Sequence, residues 1–276
     1  MAKIDRLGWA AAACFDAYGV RVGIRVNSPE ILPLLPSLLP PGAKPTASPV
    51  VDQMYSLWLG KRRTHARGFH LLYAGVARRA RSMSLDQVLE TLEADLRLTV
   101  AAGARRRVFV HAGVVGWRGR AIVLPGRSGS GKTTLVAELL RAGATYYSDE
   151  FAVIDARGRV HPFAKPLSIR EGTQIRKRPA EQLGGAIGTT PLSIGLIVFS
   201  AYRPAARWRP VPLSSGQVLL GLIPHTVPVR PRPHASLAAL QKAVGGAWAL
   251  KASRGEAAAV AAWLLRHLDQ ASRRAA

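Results

Sequence analysis

The chain has 276 residues and a formal charge of +23, from 39 Lys and Arg against 16 Asp and Glu. With 48% hydrophobic residues and a mean hydropathy of +0.08 it can bury a core, which excludes wholesale disorder. One cysteine, Cys14, excludes an internal disulfide framework, and no apolar run approaches the ~20 residues of a membrane span. The apolar stretch from Gly8 to Phe15 is short and flanked by Asp5 and Asp16, where an export signal would carry basic and small neutral residues. It is expected to lead into the first strand of a protein that stays in the cytoplasm.

From Tyr18 to Val26 apolar and polar residues alternate, the period of a strand with one wet face. Ser28 is expected to cap a short helix with Pro29 at its first position. The prolines that follow limit that helix and open a loop running to Pro49. Residues 50–59 and 68–81 read as strands, the second folded at Ala74-Gly75 into a hairpin. Ser84 with Gln87 has the form of a capping box. It opens an amphipathic helix with Leu85, Val88, Leu89, Leu92 and Leu96 on its apolar face and Asp86, Glu90, Glu93 and Asp95 expected mostly off it, in water. These elements make residues 1–105 a β-rich α+β region.

Residues 106–270 form the second region. Val108 to Trp117 reads as a strand, followed by a turn at Arg118-Gly119 and a buried strand Ala121-Ile122-Val123-Leu124. Next comes Gly126-Arg127-Ser128-Gly129-Ser130-Gly131-Lys132-Thr133, which fits the phosphate-loop pattern at every fixed position. Glycines let backbone N–H groups turn inward around phosphate oxygens, Lys132 supplies a cation for the β- and γ-phosphates, and the Thr133 hydroxyl can ligate Mg²⁺. The helix that begins at Thr133-Thr134 and stops at Gly143 would put the phosphates on a helix N-terminus. Gly126 to Thr134 is therefore the expected ATP site.

Phosphoryl transfer also needs an acidic metal ligand and a base. Asp149 and Glu150 end the strand Ala144 to Tyr147, which is expected to run beside the loop's own strand and deliver both carboxylates to the phosphates. His111 lies in an apolar run on the strand before the loop, where core packing and function weigh equally. A hairpin over 151–160, an extended piece at Pro166 to Arg170, a glycine-rich loop over 171–190, a strand at 194–199, helices over 214–224 and 235–244, a short strand Ala247 to Leu250 and a helix over 256–268 complete the chain, with 271–276 expected to fray. Hairpin-linked strands on both sides of the loop predict an α/β chain that is α+β-like in its mixed sheet, not a doubly wound parallel one.

The block His111 to Glu150 resembles the catalytic domain of the HPr serine kinase/phosphorylase family. Val110-His111-Ala112 stands where that family has Val-His-Gly, and Asp149-Glu150 where it has a pair of aspartates. The resemblance implies a phosphoenolpyruvate-carboxykinase-like fold and a kinase using ATP and Mg²⁺. Asp149 would be the base toward an acceptor serine or other hydroxyl, Thr133, Asp149 and Glu150 would face the metal, and His111 and Lys132 would lie beside the transferring phosphate. His161-Pro162 through Lys165 to Arg170 looks like the shorter HPr-kinase-related proteins, which implies Lys165 and Arg170 as phosphate clamps. Ser168-Ile169-Arg170-Glu171 replaces the family's Glu-Ile-Arg-Gly, so a metal-binding glutamate is missing or shifted to Glu171, and phosphorylase activity is not expected.

The expected partner is a hydroxyl acceptor on a protein, peptide or small metabolite, and self-association is left open. A non-catalytic nucleotide switch and a nucleic-acid-associated ATPase remain the rival readings. The scattered arginines, with short runs at Lys61-Arg62-Arg63, Arg105-Arg106-Arg107 and Arg176-Lys177-Arg178, carry no interleaved aromatics, which argues against a nucleic-acid partner.

Overall fold

A computed structural model describes residues 3–60, 68–127, 129–172 and 174–275. The expectations for Ser128 and for Lys61-Arg62-Arg63 fall outside these residues, as does the side chain of Glu171. The chain divides into two compact units, Met1–Arg106 and Arg107–Ala276. Both are mixed α/β structures, and among the described residues no helix is long and apolar enough to cross a membrane.

The first unit holds β1 (Ala11–Ala17), β2 (Val20–Val26), a 3-10 turn (Pro29–Leu34) running into α1 (Leu35–Leu38), β3 (Lys44–Pro45), β4 (Gln53–Trp58), β5 (His70–Ala74), β6 (Ala77–Ser82) and α2 (Leu85–Gly103). The sheet order is β3-β1-β2-β4-β5-β6, antiparallel except for the parallel pair β2 and β4. Ala11–Ala17 is thus a full strand and not a lead-in. Tyr18 belongs to the turn, at φ 55, where the Gly19 N–H donates to the Asp16 carboxylate at 3.2 Å. Ser28 makes no side-chain cap. Only half of the capping box forms. Ser84 Oγ accepts from the Gln87 N–H, while Gln87 Oε1 accepts from Ser82 Oγ at 2.6 Å.

Val88, Leu92, Leu96 and Val100 pack α2 onto the core of this sheet. Glu93, expected in water, is buried and lies 3.6 Å from the guanidinium of Arg97 one turn on. The buried Tyr55 ties sheet to helix, since its hydroxyl donates to Asp95 at 2.9 Å and lies 2.8 Å from Thr99 Oγ1.

The second unit contains β7 (Val108–Trp117), β8 (Arg120–Pro125), α3 (Lys132–Arg141), β9 (Thr145–Ser148), β10 (Phe151–Ile154), β11 (Arg159–His161), β12 (Leu167–Glu171), β13 (Gln174–Arg178), β14 (Leu192–Tyr202), β15 (Val211–Pro212), α4 (Ser215–Leu222), α5 (Pro233–Val244), β16 (Trp248–Arg254) and α6 (Ala257–Ala275). The main sheet runs β11-β10-β7-β8-β14-β16-β15, with β9 also on β7. Strand β14 is parallel to β8 and to β16; the remaining pairings are antiparallel. Strand β11 also pairs with β14, so the ladder closes on itself. One face packs against α3 and α6 around Ile122, Leu124, Leu135, Val136 and Leu264. The other packs against α4 and α5 around Ala121, Val123, Val218 and Leu240. Alternate residues of β8 therefore feed two cores, which is why its sequence is apolar without a break.

In this unit three elements also depart from their expected extent. Part of 171–190 is ordered as β13, paired along β12, and as a 3-10 turn at Ala180–Leu183; a hairpin needs a partner strand, which the local sequence does not announce. Strand β16 runs four residues past Leu250 to Arg254 because it is paired along β14. Helix α6 runs to Ala275, through the end expected to fray.

Gly113 sets how closely α3 approaches the sheet. A Cβ at that position would stand 2.6 Å from Val136 Cγ2, so helix and strand meet where only hydrogen fits. Gly113→Ala is expected to cost about 1–3 kcal/mol through overpacking, read as a lowered denaturation midpoint at unchanged m-value.

Candidate functional site

Strand β8 ends at Pro125 opposite Ala112 of β7, and the chain then leaves the sheet into the glycine-rich loop. The loop's first N–H stays on the sheet, donating from Gly126 to the His111 carbonyl at 3.4 Å. The loop closes at Gly131, the N-cap of α3, with φ 87. Any Cβ there would be strained by this left-handed backbone and would stand 2.5 Å from Arg254 Nη2. Lys132 folds back over the loop, its ammonium donating to the carbonyls of Gly126 at 2.7 Å and Arg127 at 2.8 Å. Burial lowers the Lys132 pKa, and the nearby Asp149 carboxylate opposes that shift.

Strands β9 and β10 both lie antiparallel on the same side of β7. Asp149 and Glu150 are the two residues between them. The sequence placed this strand beside β8. Instead β7 lies between them, and two antiparallel steps give β9 the direction of β8, so the carboxylates still arrive at the loop's end of the sheet. The Ser148 hydroxyl accepts from the N–H groups of Glu150 at 3.1 Å and Phe151 at 2.9 Å, holding the junction in shape. Across β7, Thr133 Oγ1 donates to Asp149 Oδ2 at 2.8 Å. Thr133 and Val136 share one face of α3, three residues apart, so the close approach over Gly113 also brings this hydroxyl to its carboxylate.

Asp149 Oδ1 is shielded from solvent with no hydrogen-bond partner among the described residues. Burial pushes the Asp149 carboxyl up to about 7, with the Glu150 charge adding to the rise; the Thr133 hydroxyl and the Lys132 ammonium work against it. Asp149 and Glu150 are therefore close in space as well as adjacent in sequence. His111 faces the same side of β7 as Gly113, by the alternation of the strand. Its ring lies 4.6 Å from that of Phe151, its cross-strand partner.

Gly126, Arg127, Gly129, Ser130, Gly131, Lys132, Thr133 and Thr134 are thus gathered with His111, Asp149 and Glu150 at one end of the sheet. Arg170 is exposed on β12 and makes no hydrogen bond or ion pair to the loop among the described residues. Lys165 precedes β12, its carbonyl accepting from the Tyr146 hydroxyl at 2.7 Å. His161 ends β11, with Nε2 at 2.9 Å from Asp155 Oδ2. Burial acts to raise the Asp155 carboxyl, but the donors of His161, Arg159 and Arg157 outweigh it and hold it down at about 2.

Three residues that sequence reasoning missed border the loop. Where β8 departs, Thr226 takes its place beside Val110 in an antiparallel bridge, which puts His225 in register opposite His111. Burial lowers the His225 pKa, and the Lys132 and Arg127 cations lower it further. From the opposite flank, the Tyr202 N–H donates to the Ser130 carbonyl at 3.2 Å, and Arg254, only 1% exposed, donates from Nη2 to the Gly131 carbonyl at 2.6 Å. None carries a local motif. Their positions at or beyond strand ends become informative only once the strand order is known.

No protein-family model matches this chain, and neither does any curated protein sequence.

The raised Asp149 carboxyl has a stability consequence in the metal-free chain. Its folded pKa lies above the ordinary value of 3.8, so the native state binds the extra proton and gains stability as pH falls from about 7 toward 4, losing it as pH rises through 7. Asp149→Asn is expected to melt at a higher temperature than the parent at pH 8. The gap should close below pH 4, as followed by thermal denaturation across pH.

Proposed function

We propose that the chain is an ATP- and Mg²⁺-dependent kinase of the HPr-kinase-like kind, on a phosphoenolpyruvate-carboxykinase-like fold, and that it acts in the cytoplasm without phosphorylase activity. It would transfer the γ-phosphate to a serine or other hydroxyl on a protein, peptide or small metabolite. One observation carries this reading: the Thr133 hydroxyl and the Asp149 carboxylate meet at 2.8 Å beside the Lys132 ammonium, at the mouth of a glycine-rich loop that opens a helix.

The residues suit both groups. The Gly126, Arg127 and Gly131 carbonyls are already taken by Lys132 and Arg254, and the Gly126 and Ser130 N–H groups by carbonyls, which leaves the N–H groups that open α3 for anions. Ser130 Oγ and Asp149 Oδ1 are shielded polar atoms with no hydrogen-bond partner among the described residues. For the metal, the donors are hard oxygens from Thr133, Asp149 and Glu150, and no cluster of three His, Cys, Asp or Glu occurs among the described residues. One or two carboxylates completed by water and phosphate is the manner in which Mg²⁺ is held, unlike Zn²⁺ or Ca²⁺.

In the mechanism, Thr133, Asp149 and Glu150 would hold Mg²⁺, which would supply charge neutralisation at the phosphates. The chain's own residues do the rest. Lys132 exchanges its two carbonyls for phosphate oxygens, a charge-assisted contact that is stronger than the one it gives up. Asp149, a buried carboxylate bonded to the Thr133 hydroxyl, would accept the acceptor hydroxyl's proton. Glu150 places a second carboxyl group beside it, and His111 with His225 lines the side of the loop where the γ-phosphate leaves. Residues 108–110 and 151–154 are buried, and this limits water beside the reacting groups.

Incubation with γ-labelled ATP tests the reading. The parent should label a discrete acceptor. Lys132→Ala should lose ATP binding by at least about tenfold, whereas Asp149→Asn should retain binding and transfer phosphate on the order of 10²–10⁴-fold more slowly. Transfer by Asp149→Asn at the parent's rate overturns the base assignment. Binding with no acceptor labelled in any extract favours a nucleotide switch instead.

A further inference from the structure

We propose that Tyr202 is the platform on which the base of the bound nucleotide stacks, a role that rests on the triphosphate site described above. Strands β8, β14 and β16 run parallel, so their C-terminal ends lie along one edge of the sheet. Strand β8 ends in the phosphate loop. Strand β14 ends at Tyr202, whose N–H is bonded to Ser130 of the loop at 3.2 Å. Strand β16 ends at Arg254, whose guanidinium is bonded to the Gly131 and Gly255 carbonyls at 2.6 and 3.0 Å. Both strands therefore grip the loop through their last residues.

The two sides of the loop differ in chemistry. On the β7 side stand Asp149, Glu150 and His111, which suit the terminal phosphate, a metal and an acceptor. On the β14 side stand Tyr202 and Arg254, with no carboxylate hydrogen-bonded to the loop among the described residues. A triphosphate with its γ end toward Thr133 and Asp149 points its nucleoside the other way, toward β14. There Tyr202 is 47% exposed, although the loop crowds its base: a Cβ on Gly131 would come within 3.3 Å of Tyr202 Cβ. An exposed aromatic ring, anchored by its own backbone to the phosphate loop, suits the flat face of a nucleobase.

Arg254 makes the ring a fixed surface. It lies with Cζ 5.7 Å from the Tyr202 ring centroid, within cation–π range. The guanidinium cannot swing out, being buried and held by two carbonyls, while its Nε has no hydrogen-bond partner among the described residues. The Arg203 N–H closes the same corner on the Arg254 carbonyl at 2.9 Å. A ring ordered before the ligand arrives loses little entropy on binding. Stacking reads only a π face, so the platform confers affinity for a base without choosing strongly among bases.

The test separates base from phosphates by titrating the full chain with Mg·ATP and with Mg·tripolyphosphate, which lacks a base. Tyr202→Leu keeps bulk but has no flat ring; Tyr202→Phe keeps the ring. The expected result is that Tyr202→Leu raises the Kd for ATP roughly tenfold and leaves that for tripolyphosphate within about twofold. Tyr202→Phe should match the parent for both. If Tyr202→Leu weakens both ligands equally, Tyr202 only positions the loop and the proposal falls; unchanged ATP affinity overturns it as well. Failure of the parent to bind tripolyphosphate sinks the triphosphate reading first, so the two failures are told apart.

Discussion

The site is organised by one contact across a strand, the hydrogen bond from the Thr133 hydroxyl to the Asp149 carboxylate at 2.8 Å. Its two partners belong to elements that are not neighbours in the sheet. Thr133 opens the helix after β8, Asp149 follows β9, and β7 lies between those strands. The bond exists because α3 settles onto β7 over Gly113, where a Cβ would clash with Val136 at 2.6 Å. Moving the helix outward by even the width of a methyl group would take Thr133 beyond hydrogen-bond range of Asp149. A packing detail in the hydrophobic layer thus sets the geometry of the polar site above it.

The electrostatics follow from the same contact. Asp149 is drawn under the loop, out of water, next to Glu150, and its carboxyl rises to about 7. A hydroxyl and an ammonium are its compensations, too few to hold it at an ordinary carboxylate value. Native sites tolerate such incompletely compensated groups where binding or chemistry uses them. Asp155 is the internal contrast. It is also buried, but it collects donors from Arg157, Arg159 and His161 and is held down at about 2. Two buried carboxylates a few residues apart therefore serve a turn and a candidate site, and the number of donors around each decides which.

The loop is also held from its other flank. Tyr202 and Arg254, at the ends of two strands parallel to β8, bind Ser130 and Gly131 through backbone carbonyls. Carbonyls are the loop atoms that face away from an anion, so these contacts tighten the loop without occupying the N–H groups that phosphate oxygens would take. The loop lies between an acidic flank and a flank that is aromatic and cationic, and a bound nucleotide would acquire a direction from that asymmetry.

What the sequence by itself determined were the features with local causes. Alternation marked β2, an unbroken apolar run marked β8, glycine and lysine spacing marked the turn into α3, and hairpin-linked strands on both sides of the loop indicated a mixed sheet. Asp149 and Glu150 were legible because they end a strand immediately after that helix. Tertiary structure decided what depends on partners distant in the chain. Strand β13 and the end of β16 exist through pairing, Glu93 is buried through packing, β7 and not β8 carries the carboxylate strand, and Arg170 stands exposed on the β12–β13 hairpin. His225, Tyr202 and Arg254 reach the site from far along the chain through a bridge to Val110 and two parallel strand ends. Periodicity and spacing report the forces between near neighbours. Which strand lies beside which is settled by the burial of whole faces, and that information is not stored in any one stretch of the chain.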